Sequence, residues 1–173
     1  KMLYDNAQLV SLYTDAYLIT KNKLYKDVVY ETLAFVEREL TAENGAFYSS
    51  LDADSHTTQG HLEEGAFYVW TTEELQQILG ADFELFAAYY NINNYGFWEK
   101  NHYVLIRKDS DNAFVKTHNI SIEKLNEKKN QWKEQLLNNR EKRSRPSLDD
   151  KTLTSWNALM LKAYVDAYRV FGE

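Results

Sequence analysis

Cysteine is absent from the 173 residues, which removes disulfides, thiolate metal sites and thiol redox chemistry from this chain. A cysteine-free chain is compatible with any compartment, the cytoplasm being the favoured expectation. Proline occurs once, at Pro146, and glycine only six times, so breaks in regular structure are few and each is informative. No apolar run approaches the roughly 20 residues of a membrane-spanning helix, and no signal-peptide pattern is present. No membrane partner is expected. Bases are scarce where acids are dense: residues 31–99 carry thirteen acids and one base, Arg38. Such a surface disfavours phosphate backbones, so no nucleic-acid partner is expected either. Residues 100–145 reverse the balance, with twelve bases against six acids. The run Arg140-Glu141-Lys142-Arg143-Ser144-Arg145 admits a phosphate or partner patch but reads rather as a solvated helix end, where cations suit the helix dipole.

What is present is enough for one domain, 1–173, with a core of its own: 44% of residues are hydrophobic and 27% charged. The chain opens on Lys1 directly into helical pattern, the expectation for a piece of a longer protein. Leu3, Ala7, Val10, Tyr13 and Tyr17 recur at three- and four-residue steps and predict a helix over 2–20. After Lys21-Asn22-Lys23 the period resumes over 24–40, predicting a helical hairpin. Thr71-Thr72-Glu73-Glu74 reads as a capping box opening a helix that Gly80 ends. Residues 82–90 predict another short helix, and His102–Arg107 alternates as a strand would. Lys108–Asn119 reads as irregular. Ser121 predicts the N-cap of a charge-laced helix reaching about Asn139, with Leu125, Trp132 and Leu136 on one face. Leu153–Phe171 is strongly helical, stopped at Gly172.

Two repeats stand out. Gly-Ala-Phe-Tyr occurs at Gly45–Tyr48 and again at Gly65–Tyr68. Each copy leads into aromatic and β-branched residues, which predicts short strands and a β-hairpin insertion over about 45–70. Separately, Asn6-Ala7, Tyr13 and Asp15-Ala16-Tyr17 match Asn157-Ala158, Tyr164 and Asp166-Ala167-Tyr168 at one offset. Repeated helices of this kind imply a solenoid or a closed toroid of helical hairpins. In either, Asn6 and Asn157 would face one shared space.

Three groups of residues carry possible chemistry. In a strand, Asp52 and Asp54 would share a face, where like charges push pKa values apart and suit acid–base work; an Asx-type turn competes with that reading. His61-Leu62-Glu63-Glu64 lies close in sequence, but neither calcium-loop nor zinc spacing is met, so no metal and no cofactor is expected. Asp149-Asp150-Lys151 with Trp156 and Asn157 suits sugar recognition: indole stacking on a pyranose face, carboxylate and amide bonding its hydroxyls. N-capping by Thr152 or Thr154 is the plainer account of the same stretch. Tyr48, Tyr68, Trp70 and Trp156 are the aromatics expected to face a cleft.

The segments Lys1–Ala7, Gly45–Ser55, Glu63–Thr71 and Arg143–Met160 resemble the motifs of the YyaL-like, spermatogenesis-associated protein 20 family. Members have a thioredoxin-like domain followed by an (α/α) toroid similar to six-hairpin glycosidases and N-acylglucosamine 2-epimerases. The resemblance implies that this chain is the first part of that toroid, without the thioredoxin-like domain expected in the full-length protein. It places Asp52, Asp54, Glu63, Glu64, Asp149, Asp150, Lys151, Trp156 and Asn157 at the toroid mouth. Ala46 stands where members usually have glycine, and Phe97-Trp98-Glu99 departs from the family pattern, so no role is carried over there.

The expected fold is therefore mainly α, a partial (α/α) toroid with an inserted β-hairpin and a basic loop about 140–152. The expected function is a carbohydrate-active domain, hydrolase- or epimerase-like. Asp52, Asp54, Glu63, Glu64, Asp149 and Asp150 are the acid–base candidates, and Tyr48, Tyr68, Trp70, Lys151, Trp156 and Asn157 the saccharide contacts. For epimerisation, His56 or His61 is the local base candidate. The alternative is a non-catalytic helical scaffold that binds a protein or peptide. Uncovered helix faces predict self-association of the isolated chain.

Overall fold

The three-and-four spacing of Leu3, Ala7 and Val10 becomes the buried stripe of the first helix, and small residues opposite it let a second helix approach. The computed structural model describes all residues, 1–173. The elements in chain order are α1 (Leu3–Thr20), α2 (Lys23–Glu39), β1 (Ser50–Leu51), β2 (Asp54–His56), β3 (Leu62–Glu64), β4 (Trp70–Thr71), α3 (Thr72–Leu79), α4 (Phe83–Tyr90), β5 (His102–Tyr103), α5 (Asp111–His118), α6 (Ile122–Arg140), β6 (Leu148–Asp149) and α7 (Thr154–Phe171). They fall into two compact units: residues 1–53 with 146–173, and residues 54–145. The protein is mainly α with a small β-hairpin. No helix is long and apolar enough to cross a membrane.

In the first unit, Lys21 ends α1 in the left-handed region and the Asn22 side chain accepts from the Leu24 N–H to start α2. A two-residue connection leaves α2 no option but to fold back antiparallel. Helices α1 and α7 instead run side by side in the same direction. Tyr4 meets Trp156 near their first turns at 4.8 Å between ring centroids. Ser11 Oγ donates to Asp166 at 2.7 Å midway, and Tyr17 meets Phe171 near their ends at 5.1 Å. Ala7, Ala163 and Ala167 sit in the shared core with Val10, Val29, Val36 and Met160, and their small side chains permit close helix approach. Strands β1 and β6 pair antiparallel, Ser50 with Asp149 and Leu51 with Leu148.

In the second unit, β2 and β3 form the hairpin, with Asp54 opposite Glu64 and His56 opposite Leu62. It is narrower than the 45–70 span expected, because neither Gly-Ala-Phe-Tyr copy belongs to it. The first copy leads into β1, whose partner is β6; the second is a turn that leads into β4, whose partner is β5. The expected capping box is present: Thr71 Oγ1 accepts from Glu74 N–H, and Glu74 Oε2 accepts from Thr71 N–H. The core gathers Trp132 and Leu125 of α6 against Phe86, Leu75 and Phe114. One expectation fails. Residues 108–119 are not irregular but contain α5, which Ser110 caps by accepting from Ala113 N–H and which ends at Asn119 in the left-handed region. Phe114 supplies its buried anchor.

Candidate functional site

Each Gly-Ala-Phe-Tyr copy is held by one polar side chain from far along the chain. For the first copy the holder is Asn157. Its Oδ1 accepts from Phe47 N–H at 2.8 Å, and its Nδ2 donates to Phe47 C=O at 2.9 Å and to Leu153 C=O at 3.1 Å. The amide thus pairs with Phe47 as a strand neighbour would, while the Phe47 ring stacks on Tyr164 at 5.8 Å. For the second copy the holder is Arg143. Its Nη1 donates to the carbonyls of Ala66, Phe67 and Val69, the last at 2.6 Å, and its Nη2 donates to Glu74 at 2.9 Å. The guanidinium also lies 4.0 Å from the centroid of Trp70. Burial pulls the Arg143 pKa down from its ordinary value, against the opposing pull of Glu74. Arg143 is therefore not part of a solvated helix end; it is the hub of the second turn.

In the first unit, Asp52 and Asp149 line one open groove of about 520 Å³ with Ser50, Ser147 and Leu148. Asp149 bonds Lys151 Nζ at 2.6 Å, and that partner holds its carboxyl below the usual carboxylate range. Asp150 and Lys151 are exposed, and Tyr48 is half-buried. Trp156 is half-buried against Tyr4, and Asn157 is engaged with Phe47. Neither Thr152 nor Thr154 caps α7: the N-cap is Leu153, with no side-chain bond. Asn6 bonds Met2 C=O, the N-cap of its own helix, at 2.7 Å, as Asn157 bonds Leu153 C=O; only Asn157 also pairs with Phe47. Asp52 and Asp54 do not lie on one strand, since β1 ends at Leu51 and β2 begins at Asp54; strand alternation does not set their faces.

In the second unit, Glu63 and Glu64 line a cavity of about 430 Å³ that also takes in His56, Thr58, Glu74, Trp98, Glu99, His102 and Ser144. Some of these groups are committed to holding the walls. Glu63 pairs with Lys100 at 2.9 Å, which holds the Glu63 carboxyl below its ordinary value. Glu74 is shared between the capping box and Arg143, and His56 Nδ1 lies 3.2 Å from Gly60 C=O. Others are uncommitted: no intramolecular hydrogen bond engages the side chains of Glu64, Thr58, His102 or Ser144. Trp98 is half exposed, at 50%. Trp70 is 3% exposed, beneath Arg143, and Tyr68 packs edge-on to Phe67 at 5.1 Å. No group of three or more histidine, aspartate and glutamate side chains is arranged to hold a metal.

The site candidates of the sequence leave out Trp98 and His102, and the sequence reads Arg143 as part of a solvated helix end. The adjacent aromatics Phe97 and Trp98 before Lys100-Asn101 are the only local signal for Trp98. Nothing local marks Arg143, whose partners lie more than 65 residues away.

No protein-family model matches the chain. It is 33% identical to human spermatogenesis-associated protein 20 over 193 aligned residues, which take in 100% of this chain and 25% of that protein. The mouse protein of the same name is 34% identical over 95% of this chain and 23% of its own length. The chain belongs to the spermatogenesis-associated protein 20 family. An uncharacterised protein of Caenorhabditis elegans is 32% identical over 100% of the chain and 26% of its own length. The chain thus spans about a quarter of the length of these curated relatives. The human and nematode alignments take in the whole chain and the mouse alignment 95% of it, so both units described above fall within the shared segment.

Proposed function

We propose that this segment is the saccharide-recognising part of a carbohydrate-active (α/α) toroid that the rest of the protein completes. The observation that carries the reading is the set of uncommitted groups in the second unit's cavity. A carboxylate, an imidazole, two hydroxyls and a half-exposed indole offer acceptors, donors and a flat apolar face together. That mixture matches a polyhydroxylated ring, whose hydroxyls both donate and accept and whose C–H face is apolar. The toroid reading is supported by the parallel pairing of α1 with α7 and by the antiparallel return of α2, the arrangement adjacent hairpins of a helical toroid would have.

Should the intact protein be an enzyme, Glu63 and Asp149 suit the ionised role of base or nucleophile, since Lys100 and Lys151 keep them charged. Asp52, Asp54, Glu64 and Asp150 are the remaining carboxyl candidates for acid–base work. For epimerisation, His56 and His102 line the cavity, whereas His61 does not. The test is thermal denaturation of the chain across mono- and disaccharides, because a ligand that binds only the folded state raises Tm. A rise that saturates with one sugar class is expected; no shift with any sugar would sink the reading.

A second reading rests on a different observation. Leu12 and Ile19 on α1 and Leu161, Val165 and Tyr168 on α7 are exposed, at helical spacing. Such faces suit a helical scaffold that docks a protein segment, or further hairpins of the same toroid.

A further inference from the structure

The segment Phe97–Tyr103 is a second hairpin of the cavity unit. Phe97 bridges Tyr103, Trp98 N–H donates to His102 C=O at 2.8 Å, and His102 N–H donates to Glu99 C=O at 2.8 Å. Lys100 and Asn101, at its tip, both have left-handed φ, 47° and 62°, as the two central residues of a type I′ turn do. Its base is rigid. Val104 N–H donates to Gly96 C=O at 2.9 Å, and a Cβ on Gly96 would meet Asn91 O at 2.2 Å, so only glycine fits there. Such a turn fixes where its side chains point. Trp98 leaves it half exposed and lines the same cavity as the β2–β3 hairpin residues His56, Thr58 and Glu64. One ion pair ties the two hairpins together: Lys100 Nζ to Glu63 Oε1 at 2.9 Å.

Resting on the saccharide reading above, we propose that Trp98 is the stacking platform of this cavity for a neutral sugar ring, and that Lys100–Glu63 is the latch that holds the platform in place. The charges favour an uncharged ligand over an anion. Glu63 is matched by Lys100 and Glu74 by Arg143, and the other lining charges are Glu64 and Glu99 against Lys142, so no cationic cluster recruits a phosphate or carboxylate. A large aromatic half exposed at a cavity is also unlike Trp70 and Trp132, which are buried in the core. Burying the apolar face of a pyranose on the indole accounts for its exposure in the free protein.

The experiment uses the whole chain with glucose, cellobiose and maltose as probes, read by acrylamide quenching of tryptophan fluorescence and by titration calorimetry. Saccharide is expected to protect the exposed indole from quencher. Trp98→Ala should weaken binding roughly tenfold or more, Trp98→Phe should retain part of it, and far-UV circular dichroism should be unchanged for both. Lys100→Glu should weaken binding several-fold, and the swap Lys100→Glu with Glu63→Lys should restore it. Binding by the parent chain that Trp98→Ala leaves intact would overturn the platform while the saccharide reading stood. A charge swap without rescue would overturn the latch. No binding of any probe by the parent chain would overturn both the platform and the reading on which it rests.

Discussion

Asn157 and Arg143 do with side chains what β-ladders do with backbone, and each carries a prediction. Removing the Asn157 amide strands a part-buried N–H and C=O of Phe47, and unsatisfied groups of that kind cost about 1–3 kcal/mol. Asn157→Ala is therefore expected to lower the midpoint of urea denaturation measurably. Asn157→Asp should be no better, because it sets a second acceptor against the Phe47 carbonyl. Arg143→Lys should fail to substitute for Arg143. One ammonium cannot reach three carbonyls and Glu74 while lying flat on Trp70, and the planar fork is what makes that possible. A loss of about 2–4 kcal/mol in denaturant unfolding is expected for it; unchanged stability would contradict the hub role. The sequence flagged Asn157 because it repeats Asn6 and sits beside Trp156. What it could not convey is that the amide is used up by a backbone 110 residues away.

At the scale of elements, most helices were legible because their burial is one-sided and periodic: α1, α2, α6 and α7 follow their apolar spacing. Helix α5 was not, since an eight-residue element with one buried side chain, Phe114, leaves little period to read. Its start is fixed by the Ser110 cap and by tertiary charge together. Asp111 accepts from Tyr89 Oη at 2.6 Å and from Lys129 Nζ at 2.8 Å. Burial opposes its ionisation, but Lys129, Tyr89 and Arg107 together hold its carboxyl below the usual range. Asp82, bonded to Lys128 and Trp132, is likewise held low. A carboxyl depressed in the folded state contributes stability above its unfolded pKa of about 3.9 and loses it as pH falls through the lower folded value. Stability should therefore decline on acidification below pH of about 4. Asp111→Asn and Asp82→Asn should be less stable at neutral pH and flatter in the acid limb of urea unfolding. An unchanged acid limb in both variants would contradict this assignment. Burial pushes the Tyr89 hydroxyl up, with Asp111 adding to the effect, so Tyr89 stays protonated through the same range. The strands were the least legible elements. The aromatic runs after each Gly-Ala-Phe-Tyr pointed to strands, but two-residue strands take their partners from distant sequence, which local pattern does not encode.

For the whole molecule, the exposed apolar faces decide behaviour in solution. Ile19 is 83% and Tyr168 63% exposed, with Leu12, Leu161 and Val165 on the same helices. The isolated chain is expected to self-associate as its concentration rises, seen as a growing mass in light scattering. Leu12→Glu combined with Leu161→Glu should return it to monomer without loss of helix content. A monomer at high concentration in the parent chain would contradict the expectation.

The pairing of β1 with β6 has a consequence for how such a chain can be built. The segment leaving the first unit and the segment returning to it are antiparallel neighbours, and Asp52 N–H donates to Ser147 C=O at 2.9 Å. The whole of residues 54–145 is thereby inserted at what is topologically the tip of a hairpin. Replacing it with an Asn-Gly turn would join strands already in register. The α1–α2–α7 module could then accept or shed a module at that stem as a single genetic event, in the way loop tips tolerate domain insertion.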